Sequence, residues 1–307
     1  MANVLTQDKQ KAVLRQLTEG MSIRATSRIT GVHKCTIAKL VVRFGNASRE
    51  FLDDQMQGLT LRHVQVDEQH SYVGKRQKNL TDAEKDRHDI GEIYTWTCFD
   101  HDTKLVPTFA VGKRSADMAR RLMVDLRKRL VLPNPHASDD HNWSLGHFRP
   151  VTQISTDGFA GYPEAVDLAF GPYVKYGVII KDYRNADLKP GNYSPAEMVA
   201  SDRRLIRGME PSEAWSICTS HVERHNLTVR TFMKRFNRLT ICFSKKLENH
   251  AAAVAMFMAY YNYVWRTRYP DKSGRSGKLR PTAAMMAGVT DRLWRFDDLY
   301  EAVVKYL

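Results

Sequence analysis

The sequence predicts an α/β protein. A mixed sheet covered by helices is preceded by an N-terminal all-α helix-turn-helix domain and followed by C-terminal helices. Residues 8–44 carry apolar side chains at helical spacing, broken by Gly20 and Gly31. Residues 63–181 alternate runs rich in β-branched and aromatic residues with helical runs, the pattern of a sheet packed under helices. Residues 220–265 return to helical spacing. With 43% hydrophobic residues, the 307-residue chain can bury one large domain and a small one.

The first helix is expected over residues 8–18, with Ala12, Val13, Leu14 and Leu17 apolar and Gly20 ending it. Ser22 then caps a second helix through Ile29. Gly31 permits a tight turn, and a third helix follows from His33 to Phe44 with Ile37, Leu40 and Val41 facing inward. In a helix-turn-helix the second helix of the pair lies in the DNA major groove, which makes His33, Lys34, Thr36 and Lys39 the candidate DNA contacts. A plain three-helix bundle is the alternative reading. The domain is set at 1–46, a linker at 47–62, the α/β domain at 63–240 and a helical extension at 241–307. Within the α/β part, strands are expected at 63–73, 93–100, 104–111, 151–157 and 173–181, with helices at 115–130 and 162–170. Ser115 caps the first of these helices, whose Arg120, Arg121, Arg127, Lys128 and Arg129 read as surface residues. Insertions are expected near 133–150 and 184–219. Long helices should run over 220–239 and 245–265.

The formal charge is +13, and a sequence pI near 9.6 points to a polyanionic partner. Between Arg224 and Arg280 thirteen Lys or Arg face only Glu248 and Asp271, whereas the first sixty residues carry nine bases against five acids. Cys35, Cys98, Cys218 and Cys242 are scattered, which argues against a zinc ribbon and a disulfide framework. The longest apolar run, 251–264, is too short to span a bilayer, and no signal segment opens the chain. A cytoplasmic location without membrane attachment is expected.

Three carboxylates occupy chemically suggestive places. Asp67 lies in the run Val64-Gln-Val-Asp-Glu-Gln-His-Ser-Tyr-Val73, Asp157 ends the run Thr152-Gln-Ile-Ser-Thr-Asp157 before Gly158, and Glu223 opens a basic helix. Converging carboxylates are costly unless a cation neutralises them, so the set suggests hard divalent ions, Mg2+ or Mn2+. Two such ions stabilise the attacking and leaving oxygens of phosphodiester cleavage. Each residue alone also fits a structural role: a solvent-facing strand residue, an Asp-Gly turn, and a capping box at Ser220-His-Val-Glu223. Glu68 is expected on the opposite face of its strand from Asp67. Asn226, Arg230 and Lys234 follow Glu223 at helical spacing, so they share its face and are candidate DNA-binding residues: the two bases for phosphates, Asn226 for a phosphate or for orienting Glu223.

Asp67-Glu-Gln-His-Ser-Tyr-Val-Gly-Lys75, Thr156-Asp-Gly-Phe-Ala-Gly-Tyr162 and Val222-Glu-Arg-His-Asn-Leu-Thr-Val-Arg230 resemble the signature blocks of the insertion-sequence-one family of DDE transposases. The runs 236–250 and 281–294 resemble it equally. The resemblance implies a ribonuclease-H-like core, with Asp67, Asp157 and Glu223 as catalytic triad and metal ligands. It also implies cleavage at transposon ends, joining of the 3′-hydroxyl to target DNA, and a homodimer or larger synaptic complex on double-stranded DNA, at terminal inverted repeats and at the target. Family members often carry Trp at the position of His70, and several carry an N-terminal cysteine zinc motif, which this chain lacks. The rivals are a catalytically silent transposase-derived DNA-binding protein, acting as repressor or end-binder, and a nuclease that hydrolyses without joining.

Overall fold

Burial on both faces at Val64, Gln65 and Val66, giving way to alternation from Gln69 to Val73, builds the strand on which the rest of the fold is hung. The computed structural model describes residues 4–132, 151–184, 197–237, 242–266 and 281–307. Strand β1 (His63–Val73) stands third in a six-stranded sheet of order β3-β2-β1-β4-β5-β6. Its neighbour β2 (Gly91–Asp100) is antiparallel to it and to β3 (Phe109–Gly112), whereas β4 (Gln153–Thr156) and β5 (Lys175–Arg184) run parallel to β1. Strand β6 (Glu197–Arg207) returns antiparallel along β5. The irregular insertion expected over 184–219 therefore contains a sheet-edge strand, followed by a two-turn 3-10 helix at Pro211–Ser216. Exposed side chains along nearly all of β6 remove the alternation by which a sequence announces a half-buried strand. The insertion expected near 133–150 lies outside the described residues.

The third expected strand begins late, for a specific reason. Asp100 Oδ2 accepts from the Thr103 N–H at 2.8 Å and its hydroxyl at 2.7 Å, which closes the turn after β2. The backbone N–H and C=O of Val106 are then taken by the side-chain amide of Asn262, at 3.0 and 2.9 Å. Asn262 is fully buried in helix α8 (Leu247–Tyr263). It satisfies both main-chain groups of a residue that would otherwise have to find ladder partners.

The N-terminal helices α1 (Gln7–Thr18) and α2 (Ile23–Thr30) form as expected, with Ser22 Oγ accepting from Ala25 N and Gly31 closing α2 at φ 70°. Helix α3 does not stop at Phe44. It runs from Lys34 to Gln55, and its buried stripe continues through Phe44, Ala47, Ser48, Phe51 and Leu52. The linker expected over 47–62 thus begins as helix. Gly45 marks a crossing, since a Cβ there would stand 2.1 Å from the carbonyl oxygen of Ala252 on α8. Phe44 stacks on Phe296 and Tyr300 of helix α10 (Phe296–Val303), so α3 shares one core with the C-terminal helices and the sheet.

Helix α5 (Ala116–Arg129) is capped by Ser115 as expected and packs on α6 (Tyr162–Phe170). Arg129, read as a surface residue, is buried: its guanidinium pairs with Asp125 one turn earlier and with Asp53 of α3 at 2.5 Å. No helix among the described residues is long and apolar enough to cross a membrane.

Candidate carboxylate site

Period-two alternation gives β1 two different jobs. Residues 65, 67 and 69 face helix α7 (Ser220–Phe232), while Val64, Val66 and Glu68 face the α6 side. On the first face, buried Gln65 places Oε1 between the N–H groups of His221 and Val222, at 3.0 and 3.1 Å. A strand side chain thereby satisfies donors that a helix N-terminus leaves open. Four residues on, Gln69 donates to the carbonyl oxygen of Asn226 at 3.0 Å, and between them Asp67 Oδ2 accepts from Asn226 Nδ2 at 2.7 Å. Helix α7 is therefore docked on β1 through three successive inward side chains.

The parallel register places the second aspartate. Val66 pairs with Thr156 at the end of β4, so the next residue on each strand is Asp67 and Asp157. Asp157 Oδ1 accepts from the Phe159 N–H at 3.0 Å, which fixes the turn. The α7 docking brings Glu223 to the same cavity. The space, about 430 Å³, is lined by Asp67, Asp157 and Glu223 together with Arg114, Gly158, Phe159, Ala160, Ile179, Ile180, Lys181 and Tyr183. Glu223 is held at the rim, where its carboxylate accepts from Thr219 Oγ1 at 2.8 Å and from the Lys181 ammonium. The helix starts one residue after Thr219, and the Glu223 side chain meets the Thr219 hydroxyl rather than forming the capping box read at Ser220.

Burial first, then the neighbouring charges of Asp157 and Glu223, push the Asp67 carboxyl up to about 6. Glu68 behaves likewise. Its side chain is 2% exposed, and burial together with the Asp157 charge pushes it up to about 7 against the pull of Arg114. Asp67, Glu68 and Asp157 each bring one ligand oxygen within 4.8 Å of the others, a grouping that could hold a metal ion. Glu68 was expected to point away from Asp67. It does face the α6 side, where Tyr162 lies beside it, yet adjacent strand residues at the open end of a sheet still bring their carboxylate tips within reach of one ion. Its Oε1 is buried and makes no hydrogen bond of normal geometry, with the Tyr162 hydroxyl the donor beside the carboxyl.

Arg114 and Lys181 are the two cations that sequence reading missed. Arg114 reaches Glu68 Oε2 at 3.2 Å and Asp157 Oδ2 at 3.4 Å while lying over the Phe159 ring. Neither residue stands in a recognisable motif, because the register that brings them in is set by β3 and β5. Asn226, expected at a phosphate or beside Glu223, is buried with its amide on Asp67. Lys234 is exposed but lies beyond the end of α7, in a short 3-10 turn, so it does not continue the helical face of Glu223. Arg230 is half-buried in the last turn of α7. His33, Lys34, Thr36 and Lys39 are all exposed at the start of α3, where the His33 ring accepts from Cys35 N. His225 is buried between the Phe99 and Tyr261 rings, and desolvation lowers it to about 3, which leaves it neutral.

These features define a mixed α/β protein with carboxylates gathered where the parallel pairing of β1 and β4 ends. Comparison with known proteins supplies the kinship: residues 209–264 match the family model described as IS1 transposase. Over 42 residues the chain is 48% identical to the insertion element iso-IS1n protein InsB of Shigella dysenteriae, covering 14% of this chain and 32% of that protein. The aligned stretch spans about a third of that relative's length. The resemblance to insertion-sequence-one transposases is thus borne out over this segment, which contains Glu223, Asn226, Arg230 and Lys234. Asp67 and Asp157 lie outside it.

Proposed function

We propose that the chain is a DDE transposase, in which Asp67, Asp157 and Glu223 hold Mg2+ (or Mn2+) in a ribonuclease-H-like catalytic domain. On this reading it binds transposon ends, cuts there, and joins the freed 3′-hydroxyl to target DNA. The observation that carries the proposal is the meeting of Asp67 and Asp157 where the parallel pairing of β1 and β4 ends, with Glu223 lining the same cavity, in a chain whose α7–α8 segment matches the IS1 transposases. Three antiparallel strands followed by two parallel ones support the ribonuclease-H-like reading.

The donor set fits a hard divalent cation. It consists of oxygens only, two of its carboxyls are raised by burial and like charge, and Asp67, Glu68 and Asp157 each bring one oxygen within 4.8 Å of the others. Bound there, such ions would stabilise charge on the attacking and leaving oxygens of a phosphodiester. The chain's own residues do the positioning. Asn226 aims Asp67, the Asp157–Phe159 turn aims Asp157, and Thr219 steadies Glu223. Arg114 and Lys181 balance the carboxylate charge and stand beside the space a phosphate would occupy. Arg230 and Lys234 hold the DNA backbone, and the exposed start of α3, with His33, Lys34, Thr36 and Lys39, reads the ends from the helix-turn-helix domain. A homodimer or larger complex pairs two ends in the bacterial cytosol.

The test uses duplex oligonucleotides carrying the terminal inverted repeats, with Mg2+, comparing wild type and Asp157→Asn. Wild type should cut and join, and the variant should bind without doing either. Equal activity of the two rejects the site. Tight binding without cleavage by wild type would favour a transposase-derived repressor, and cleavage without joining a nuclease.

A further inference from the structure

A second cluster of ligand atoms lies at the other end of β1, built by the antiparallel pairing that follows β2. Val64 pairs with Asp100, so His63 meets the first residue of the next turn, and His101 N donates to the His63 carbonyl at 2.8 Å. Asp102 then turns its carboxylate between the two rings: Oδ2 lies 3.1 Å from His63 Nδ1 and Oδ1 lies 2.8 Å from His101 Nδ1. One ligand atom from each residue falls within 4.8 Å of the other two. In a tetrahedral site with bonds of about 2.0–2.1 Å, neighbouring ligands stand about 3.3 Å apart, so small side-chain rotations convert this array into a coordination set. All three side chains are about 40% exposed, which leaves an ion a path in from solvent.

We propose that His63, His101 and Asp102 bind a divalent transition-metal ion, with Zn2+ the fitting species. Two imidazole nitrogens and one carboxylate suit zinc, whereas Mg2+ requires oxygen ligands. Three protein ligands leave a fourth position to water or another donor. The His221 ring lies against His101, with centroids 4.2 Å apart, while the Lys104 ammonium is tied to His221 Nδ1 and the His101 carbonyl oxygen. The ion would staple the first residue of β1 to the β2–β3 turn, beside the N-terminal turn of α7. The site shares no residue with the carboxylate cavity and does not rest on the transposase reading.

The experiment uses the full chain after chelator treatment, in millimolar Mg2+ to occupy the oxygen-only site. Zn2+ is titrated by calorimetry, and Co2+ is added as a visible-absorption probe. One tight Zn2+ site is expected, with a Co2+ absorption band typical of tetrahedral nitrogen and oxygen ligation and a rise in Tm on zinc addition. His63→Gln and His101→Gln should weaken Zn2+ by more than about 100-fold, exceeding the usual loss for an outer-shell partner. Asp67→Asn should leave Zn2+ binding intact. Absence of the Co2+ band in wild type overturns the proposal even if both glutamine variants fail to fold. So does zinc affinity indifferent to both variants, which would leave a hydrogen-bonded turn and no metal site.

Discussion

Asn226 Nδ2 donates to Asp67 Oδ2 at 2.7 Å, and that bond ties the second helical turn of α7 to the carboxylate at the heart of the cavity. The Asn226 carbonyl oxygen is itself fixed by Gln69. Removing the amide takes a donor from the charged form of Asp67, which favours protonation, and loosens its aim. Asn226→Ala should therefore weaken Mg2+ or Mn2+ binding about 10–100-fold at neutral pH, as loss of an orienting partner does. Asn226→Asp, which adds another negative charge beside Asp67, should change the pH at which the ion binds. Calorimetric titration checks both, and unchanged affinity in the alanine variant would remove Asn226 from the site.

Two raised carboxyls give the metal-free protein a definite pH signature. Asp67 moves from 3.8 to about 6 and Glu68 from 4.5 to about 7, so the folded chain holds more protons than the unfolded one between those values. The stability they contribute is complete below about pH 4 and is lost as pH rises through about 7. Relative to wild type, Glu68→Gln should therefore gain stability across that window, by at most about 3–4 kcal/mol. Urea unfolding at several pH values in chelator measures the gap. Divalent cation should shrink it, because the ion favours the charged carboxylates. A gap that stays constant with pH would contradict the assignment.

The same substitution at two glycines should differ sharply in cost. Gly45→Ala drives a Cβ into the Ala252 backbone, which cannot rotate away, so the loss should exceed the roughly 1–3 kcal/mol of ordinary overpacking. Gly31→Ala meets nothing within 4 Å and loses only the cost of its left-handed φ of 70°, about 1–2 kcal/mol. Chemical denaturation ranks the two. Equal losses would show that α3 and α8 can part at their crossing.

Arg129→Leu tests the buried join between α3 and α5. The guanidinium is 3% exposed, whereas its partners Asp53 and Asp125 are 44% and 34% exposed and can recover some solvation. Destabilisation of about 2–3 kcal/mol is expected, below the 3–5 kcal/mol typical when a fully buried pair is broken. A change under about 0.5 kcal/mol would mean that the pair only decorates the surface.

Helix caps and strand alternation were legible because they are local. Ser22, Ser115 and the run 63–73 each carry their structural meaning within a few neighbouring residues. Three errors share a cause. The third helix was expected to end at Phe44 and instead continues past a crossing at Gly45, Arg129 looked solvated and is buried, and the segment around β6 looked irregular and is a strand. In each case the deciding partner, Ala252, Asp53 or β5, stands at least thirteen residues away in sequence.

The sequence alone determined the class of fold, the three carboxylates as a set, and the kinship later found over α7 and α8, because residue type and spacing survive without coordinates. Only the tertiary structure decided that Glu68 joins Asp67 and Asp157, that Arg114 and Lys181 neutralise them, and that Gln65, Asp67 and Gln69 dock α7. It alone assembled His63, His101 and Asp102. The reason is physical: a ligand set depends on strand register and helix docking, which fix distances between side chains that the chain order keeps far apart.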